Sequence, residues 1–218
     1  MSNHSTAMHQ HQFADPKQQF EASSLGMWIF LMTELLLFGG LFAVYVVYRT
    51  AYPDAFAFGS SKLEWPLAAA NTIILIVSSL TMVLAVYGAQ VNNRAMQVGF
   101  LFLTILFGAA FLGLKVVEYR AHWIHHEVPG FGFRNDWQPP VQMFFLIYFS
   151  LTGIHAVHMV VGIGLVSYVM YKAYRRTYSP AYHTPVEMVG LYWHFVDIAW
   201  VFLFPLLYLI GAHFGAGE

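Results

Sequence analysis

The sequence predicts an all-α integral membrane protein, a bundle of five transmembrane helices. Its 218 residues are 58% hydrophobic and only 10% charged, whereas a soluble domain has about 25% charged residues. Five apolar stretches reach the roughly 20 residues that a helix needs to cross a hydrocarbon layer of about 30 Å. Ionisable side chains inside such stretches cost about 2.5–3.5 kcal/mol each on insertion scales, so each one needs a partner or a purpose.

Composition also excludes several classes of function. The formal net charge of −1 gives no sign of nucleic-acid binding or of a polybasic membrane anchor. The chain has no cysteine, which excludes disulfides, thiolate-bound metals and a cysteine nucleophile. Residues 1–20 are polar, and we expect a disordered segment there, followed by one domain over residues 21–218. That polar segment lacks the features of a signal peptide, so we expect membrane insertion to use the spans themselves.

The first predicted span covers Leu25–Tyr48 and contains Glu34 as its only charge. Glu34 is either a protonated group that bridges two helices or a carboxylate, linked to protons or lipid, that faces a cleft. Turn signals at Tyr52-Pro53-Asp54 and Gly59-Ser60-Ser61 then predict a loop of about 17 residues.

The second predicted span, Leu67–Gln90, begins behind the breaker Trp65-Pro66 and contains Asn71. We expect Asn71 to hydrogen-bond to another helix, because an unpaired amide is costly in lipid. Small residues that would let helices approach closely occur at Gly39-Gly40, Ala68-Ala69-Ala70, Gly108 and Gly162.

The third predicted span covers Ala95–Tyr119 and carries Lys115 and Glu118, whose spacing predicts an ion pair near the membrane interface. The box His122-Trp123-Ile124-His125-His126 follows it. Membrane di-iron desaturases use similar boxes, but they need three of them, so solvated interfacial histidines are the better interpretation. Met8-His9-Gln10-His11 could bind adventitious copper, although a disordered polar tail is the better interpretation.

The fourth and fifth predicted spans, Val141–Tyr171 and Val186–His213, contain His155, His158 and His194. A haem held between them would need histidines at matching depths. With the two helices antiparallel, His194 lies about 10 Å from its end of the span, whereas His158 lies about 20 Å from the corresponding end. We therefore expect histidines hydrogen-bonded between helices, and no metal site or catalytic centre in this chain.

Orientation is not decided by the count of basic residues. Five spans place the termini on opposite sides, and Lys and Arg divide five against five. The side of the N-terminus has Lys17, Arg94, Lys172, Arg175 and Arg176, and the other has Arg49, Lys62, Lys115, Arg120 and Arg134. The cluster of three basic residues in one short loop favours a cytoplasmic N-terminus.

Five segments in order along the chain combine into one pattern. They are Glu34 within T-E-L-L-L-F-G-G-L-F, Asn71 with Ser78-Ser79, Glu118-Tyr119, the T-G-x-H-x-x-H helix ending at His158, and E-M-V-G-L-Y-W-H-F-V-D-I-A-W over Glu187–Trp200. Together they closely resemble subunit III of the haem-copper terminal oxidases, the cytochrome c and quinol oxidase polypeptide III family, in a short five-helix form.

The resemblance implies an accessory subunit of a respiratory oxidase, a multi-pass protein of a bacterial-type inner membrane with its N-terminus in the cytoplasm. Such a subunit carries no haem or copper, which reside in partner subunits. It packs directly against subunit I, in a complex with subunit II and other subunits. It also binds phospholipid and supports proton uptake and the durability of the active site.

The resemblance also assigns roles to residues. Glu34 is implied as a proton- or lipid-linked carboxylate, and the basic loop is implied to lie near lipid phosphates. Helix contacts or the lipid cleft are implied for Asn71, His155, His158, His183, Glu187, His194 and Asp197. Two helices that precede Glu34 in longer members are missing, so half of the lipid cleft would come from another subunit.

Alternatives stay open at this point. The chain could serve a cytochrome c oxidase, a quinol oxidase or a complex resembling nitric oxide reductase. It could also be a stand-alone membrane redox protein that uses its histidines, or a lipid-binding or assembly module of another complex.

Overall fold

The computed structural model describes residues 15–130, 133, 136–180 and 182–209. Over these residues the chain is helical, with short connections. The helices are α1 Pro16–Ala51, α2 Pro53–Ser61, α3 Trp65–Gln90, α4 Arg94–Ile124, α5 Pro139–Tyr174 and α6 Thr184–Phe204, followed by a π-helical turn over Pro205–Leu209. All except α2 are long and apolar enough to cross a membrane. The predicted all-α membrane bundle with five spans is therefore confirmed.

Prolines in the first turn begin most of the helices. Pro fixes φ near −65° and lacks only an N–H that the first turn does not use. At α1, Asp15 adds a cap, because its Oδ1 accepts a hydrogen bond from the Gln18 backbone N–H at 2.7 Å. Helix α1 therefore starts well before the predicted Leu25, and the predicted boundary after residue 20 falls inside it. Residues 1–14, including the histidines near Met8, lie outside the described residues.

The predicted loop after the first span is wrong, because α2 occupies most of it. Phe56 of α2 is buried between the rings of Tyr45 and Phe144, at centroid distances of 5.5 and 5.4 Å. Ser60 donates to the Leu207 carbonyl at 2.7 Å. Burial of Phe56 and this hydrogen bond hold α2 against one end of the bundle, where turn residues alone indicated irregular backbone.

Helix α6 is central to the bundle and α1 is peripheral. Helix α6 packs against α1, α3 and α5, and α3 packs most extensively against α4. Among the spanning helices contacted by α1 are α5 and α6, and much of its apolar surface remains open. Leu36 is 72% exposed and Val47 is 63% exposed. Such a surface is suited to lipid or to another membrane subunit.

Close approach through small residues is confirmed at two of the predicted positions. A Cβ on Gly108 would lie 2.7 Å from Trp193 Cη2, and one on Gly162 would lie 3.0 Å from Trp193 Cζ3. These glycines make room for the indole of α6 between α4 and α5. The prediction is wrong for Gly39 and Gly40, where a Cβ would meet nothing within 4 Å. Both lie on α1, which has fewer neighbours.

Candidate functional site

A carboxyl–imidazole pair joins α1 to α5. Glu34 Oε2 lies 2.9 Å from His158 Nε2, and both side chains are largely but not completely buried. The other ring nitrogen of His158 also has a partner, because Nδ1 lies 2.8 Å from the Ile154 carbonyl one turn earlier in α5. Tyr192 of α6 donates to the His158 backbone carbonyl at 3.0 Å. Three helices therefore position this pair.

The hydrogen bonds define where the protons lie. A backbone carbonyl can only accept, so His158 Nδ1 must carry a proton. The contact between Nε2 and Glu34 then requires one further proton, on either the imidazole or the carboxyl group. In one case the pair is an imidazolium and a carboxylate, and in the other both groups are neutral. Either arrangement satisfies the contact with one proton shared between the two side chains.

An apolar cleft lies beside this pair. It has a volume of about 370 Å³ and is bounded by α1, α5 and α6. The lining residues are Met27, Phe30, Val157, His158, Val161, Leu165, Val189 and Tyr192. His158 is the only ionisable imidazole or carboxyl group among these described residues. We call this site the α1–α5–α6 cleft; its shape and apolar lining are suited to an acyl chain.

A second groove brings together two further residues that the sequence singled out. It is lined partly by Glu187 and His194 of α6 and by Gln90 of α3. Glu187 Oε1 lies 3.1 Å from Gln90 Nε2 and 3.1 Å from His183 Nε2. His194 Nδ1 lies 2.7 Å from the hydroxyl of Ser79. These contacts tie α6 to α3 on the side of the bundle where the N-terminus of α1 lies.

Three other predicted site residues are separate from both openings. Asn71, His155 and Asp197 are buried, and their side-chain polar atoms have no hydrogen-bond partner. The predicted interhelical bond of Asn71 is wrong, because Trp200 Nε1 donates to the neighbouring Thr72 hydroxyl at 3.0 Å instead. The His155 ring packs against Trp200, with centroids 5.1 Å apart.

Asp197 illustrates how competition can leave a buried group unpaired. Ser79 is close enough to interact with the Asp197 carboxyl group. Its hydroxyl, however, engages His194 at 2.7 Å, and neither Asp197 oxygen has a hydrogen-bond partner. Asp197 is only 4% exposed, so it lies inside this chain rather than on its outer surface.

The sequence did not predict the surroundings of a buried ion pair on α4. Lys115 Nζ and Glu118 Oε2 are 2.7 Å apart, so their predicted pairing is confirmed. Both side chains are buried inside the bundle, and α4 continues beyond them to Ile124. Tyr148 and Tyr208 each donate to Glu118 Oε1 at 2.7 Å. No spacing in the sequence indicates that these distant tyrosines meet Glu118.

The histidine box at the end of α4 does not gather its imidazoles. His122 Nδ1 lies 2.6 Å from Glu127 Oε2, whereas His125 and His126 are exposed. His158 bonds to α1 and His194 bonds to α3, so these two histidines do not face a common centre. In the part of the chain that the structure describes, no group of three or more His, Asp or Glu side chains could hold a metal ion.

The basic loop after α5 divides into separate environments. Lys172 Nζ lies 5.6 Å from the centre of the Tyr168 ring, Arg175 is exposed, and Arg176 lines a polar cavity.

Comparison with known proteins agrees with these motifs. The family described as "Cytochrome c oxidase subunit III" matches residues 2–212. The chain belongs to that family. The "Cytochrome bo(3) ubiquinol oxidase subunit 3" of Pseudomonas aeruginosa is 33% identical over 190 residues, which cover 86% of this chain and 84% of that protein. The "Cytochrome c oxidase subunit 3" of Alkalihalophilus pseudofirmus is 31% identical over 188 residues, 86% of each.

Membership confirms the resemblance and sets the context of the site. This is a multi-pass membrane protein of the oxidase subunit III family, and its relatives are subunits of oxidase complexes. The partners that membership implies are other oxidase subunits. The Glu34–His158 pair and the α1–α5–α6 cleft are therefore features of a subunit that works inside a larger complex.

Proposed function

We propose that this chain is the accessory, non-catalytic subunit III of a respiratory haem-copper oxidase. It packs directly against subunit I, in a complex that also contains subunit II, and it stabilises the catalytic subunit. It holds phospholipid in the α1–α5–α6 cleft and supports proton uptake during aerobic electron transport. Haem and copper belong to the partner subunits. The observation that carries the proposal is the Glu34–His158 pair, whose 2.9 Å contact lies beside an apolar cleft.

The surroundings of the pair support a role in proton exchange. The two side chains are 14% and 17% exposed, so water or a lipid head group can reach them without unfolding of the bundle. Apolar walls at the cleft exclude bulk water, and such surroundings strengthen the interaction between the two groups. Lipid in the cleft would therefore control how fast the pair exchanges protons.

The peripheral position of α1 supports direct contact with subunit I. Its exposed apolar residues form a surface that, among the described residues, nothing in this chain covers.

The basic Lys172, Arg175 and Arg176 lie on the side of the N-terminus, where they would contact lipid phosphates if that side is cytoplasmic. The absence of cysteine makes this orientation testable. In Arg175→Cys and Lys62→Cys variants, a membrane-impermeant maleimide applied to intact cells should label only the second.

The decisive experiment replaces Glu34 by Gln in the intact complex. This change keeps the size and hydrogen-bonding capacity of the side chain but removes its proton exchange. We expect normal assembly with slower proton uptake or a several-fold shorter working life of the oxidase, measured as total turnovers before inactivation. Glu21→Gln is the matched control, because Glu21 is exposed on the same helix and pairs only with Lys17 at 3.7 Å among the described contacts.

Two results would refute this role. Wild-type uptake kinetics and lifetime in the Glu34→Gln complex would show that the pair is only structural. A stoichiometric haem spectrum in the isolated chain would favour the stand-alone redox protein, whereas the proposal expects the spectrum only in the assembled complex.

A quinol oxidase is the favoured setting among the alternatives, because relatives from Pseudomonas aeruginosa and Pseudomonas putida are named as ubiquinol oxidase subunits. Membranes with and without this chain, assayed with ubiquinol and with reduced cytochrome c, will separate the two donors. If only the oxidation of cytochrome c depended on this chain, and not that of ubiquinol, the quinol assignment would be overturned.

A further inference from the structure

A separate polar cavity lies on the side of the bundle where the N-terminus of α1 lies. It is formed where the turn between α3 and α4 meets the end of α5 and the connection to α6, and its volume is about 390 Å³. It shares no lining residue with the α1–α5–α6 cleft. We call it the turn cavity; its described lining residues are Ala89, Asn92, Arg94, Gln97, Ala173, Arg176 and Tyr178.

The charge of the turn cavity is positive and uncompensated. Arg94 and Arg176 both line it, and no carboxylate occurs among its described lining residues. Arg94 is held in place by the end of α5, because it donates to the Tyr174 carbonyl and lies over the Tyr174 ring, 4.7 Å from its centre. A guanidinium has five N–H donors, so this anchoring leaves others available to a ligand.

A buried amide adds an unused hydrogen-bond donor. Gln97 lines the turn cavity and is only 4% exposed, and its Nε2 has no hydrogen-bond partner. Buried donors without partners are uncommon, because their lost hydration is not replaced. The nearby Tyr178 also remains a donor at neutral pH. Burial, with smaller effects of Tyr168 and Tyr182, raises its pKa to about 12.

We propose that the turn cavity binds a phosphate-type oxyanion, with Arg176, Arg94 and Gln97 as its donors. Planar guanidinium groups recognise phosphate oxygens through paired hydrogen bonds, and the neutral amide completes the set. The anion is either the phosphodiester of a lipid head group or the phosphate of a soluble ester. This deepens the proposed lipid contact of the basic loop and rests on it for the membrane setting. Arg176 lines this cavity, whereas its neighbours Lys172 and Arg175 do not.

Native mass spectrometry of the intact complex tests the assignment. Delipidated complex is titrated in separate arms with phosphatidylglycerol and with inorganic phosphate, and bound molecules are counted. We expect Arg176→Ala to lose one bound phosphate-bearing molecule, with an affinity at that site lower by roughly tenfold to a hundredfold. Gln97→Glu, which keeps the shape but adds a negative charge, should lose the same molecule.

Lys17→Ala is the matched control, because Lys17 is an exposed basic residue on the same side of the bundle but does not line the turn cavity. It should bind as the wild type does. If Arg176→Ala loses its bound molecule only in the phosphatidylglycerol arm, the ligand is a lipid head group. If it loses a bound molecule in the phosphate arm, the ligand is a soluble ester. Equal binding by wild type, Arg176→Ala and Gln97→Glu in both arms would overturn the proposal.

The same samples separate this inference from the proposed function. Haem content and subunit stoichiometry report whether the variant complexes are intact. If this chain does not assemble with an oxidase, the proposed function fails, but the isolated full chain can still be titrated in both arms. Loss of the anion with normal assembly and lifetime would support the turn cavity alone.

Discussion

Two of the acid–base pairs in the described part of the bundle differ mainly in their surroundings. Lys115 and Glu118 are 5% and 2% exposed and share their hydrogen bonds with two tyrosines, whereas Glu34 and His158 are 17% and 14% exposed and border a cleft. The first pair is closed, because every charge has a partner within the chain. The second is open, because both side chains are partly exposed and His158 lines the cleft. Similar pairs can therefore have very different access to their surroundings within one bundle.

The largest effect is expected from breaking the closed pair. Glu118→Ala leaves the Lys115 ammonium buried without its counter-ion, and removal of one partner from a buried pair costs about 3–5 kcal/mol. We expect a strong loss of folded chain, measured as the free energy of unfolding in mixed detergent micelles. The double variant Lys115→Met/Glu118→Gln, which removes both charges, should recover much of that loss.

The exposed pair on α1 provides the control for this prediction. Lys17 and Glu21 are 3.7 Å apart but 84% and 64% exposed, and solvent screens such pairs strongly. Lys17→Met should leave the free energy of unfolding nearly unchanged. A similar loss in Lys17→Met and Glu118→Ala would contradict the distinction between closed and exposed charges.

An intermediate effect is expected when one tyrosine of the closed pair loses its hydroxyl. Tyr208→Phe removes the donor to Glu118 Oε1 and the acceptor for Lys115 Nζ, which lies 2.5 Å away. Hydrogen bonds to charged groups contribute about 1.5–3 kcal/mol, so we expect a loss in that range. Tyr87→Phe is a suitable control, because Tyr87 is exposed on α3. If both variants unfold alike, the tyrosines do not stabilise the buried ions.

The smallest effect on stability is expected at the open pair. His158→Gln keeps a polar group beside Glu34 and should cost only about 1 kcal/mol, because the pair is partly solvated. Its functional effect should be larger, since glutamine cannot accept a proton at neutral pH. We expect slower proton uptake by the complex while assembly is retained. Unchanged uptake together with a large loss of stability would reverse the roles of the two pairs.

The sequence predicted the spans better than it predicted the site. Each predicted span corresponds to a spanning helix, because twenty apolar residues bounded by Pro, Asn or charged groups have few other stable structures in lipid. The boundaries differ by a few residues, and by more at α1, where a polar turn capped by Asp15 extends the helix. Helix α2 was not predictable from turn residues, because its formation depends on Phe56 packing between distant aromatic rings.

For the site residues, the sequence predicts contacts within one helix but not contacts between helices. Spacing along one helix predicts that Lys115 can reach Glu118, since residues three apart share a helix face. No spacing predicts that Glu34 meets His158 across 124 positions, or that Ser79 bonds His194 rather than Asp197. Competition between partners depends on which helices are neighbours and how they are rotated, which a single sequence does not contain.

By itself, the sequence determined that this chain is a membrane bundle and that its sparse ionisable groups need partners, because lipid cannot solvate them. Its motifs also indicated the oxidase subunit III family. The tertiary structure decided which groups obtained those partners. It enclosed Lys115 and Glu118 among tyrosines, left Glu34 and His158 at an open cleft, and placed Arg176 beside Gln97 in a separate cavity. The physical reason is that insertion depends on composition along each helix, whereas pairing depends on distances between helices.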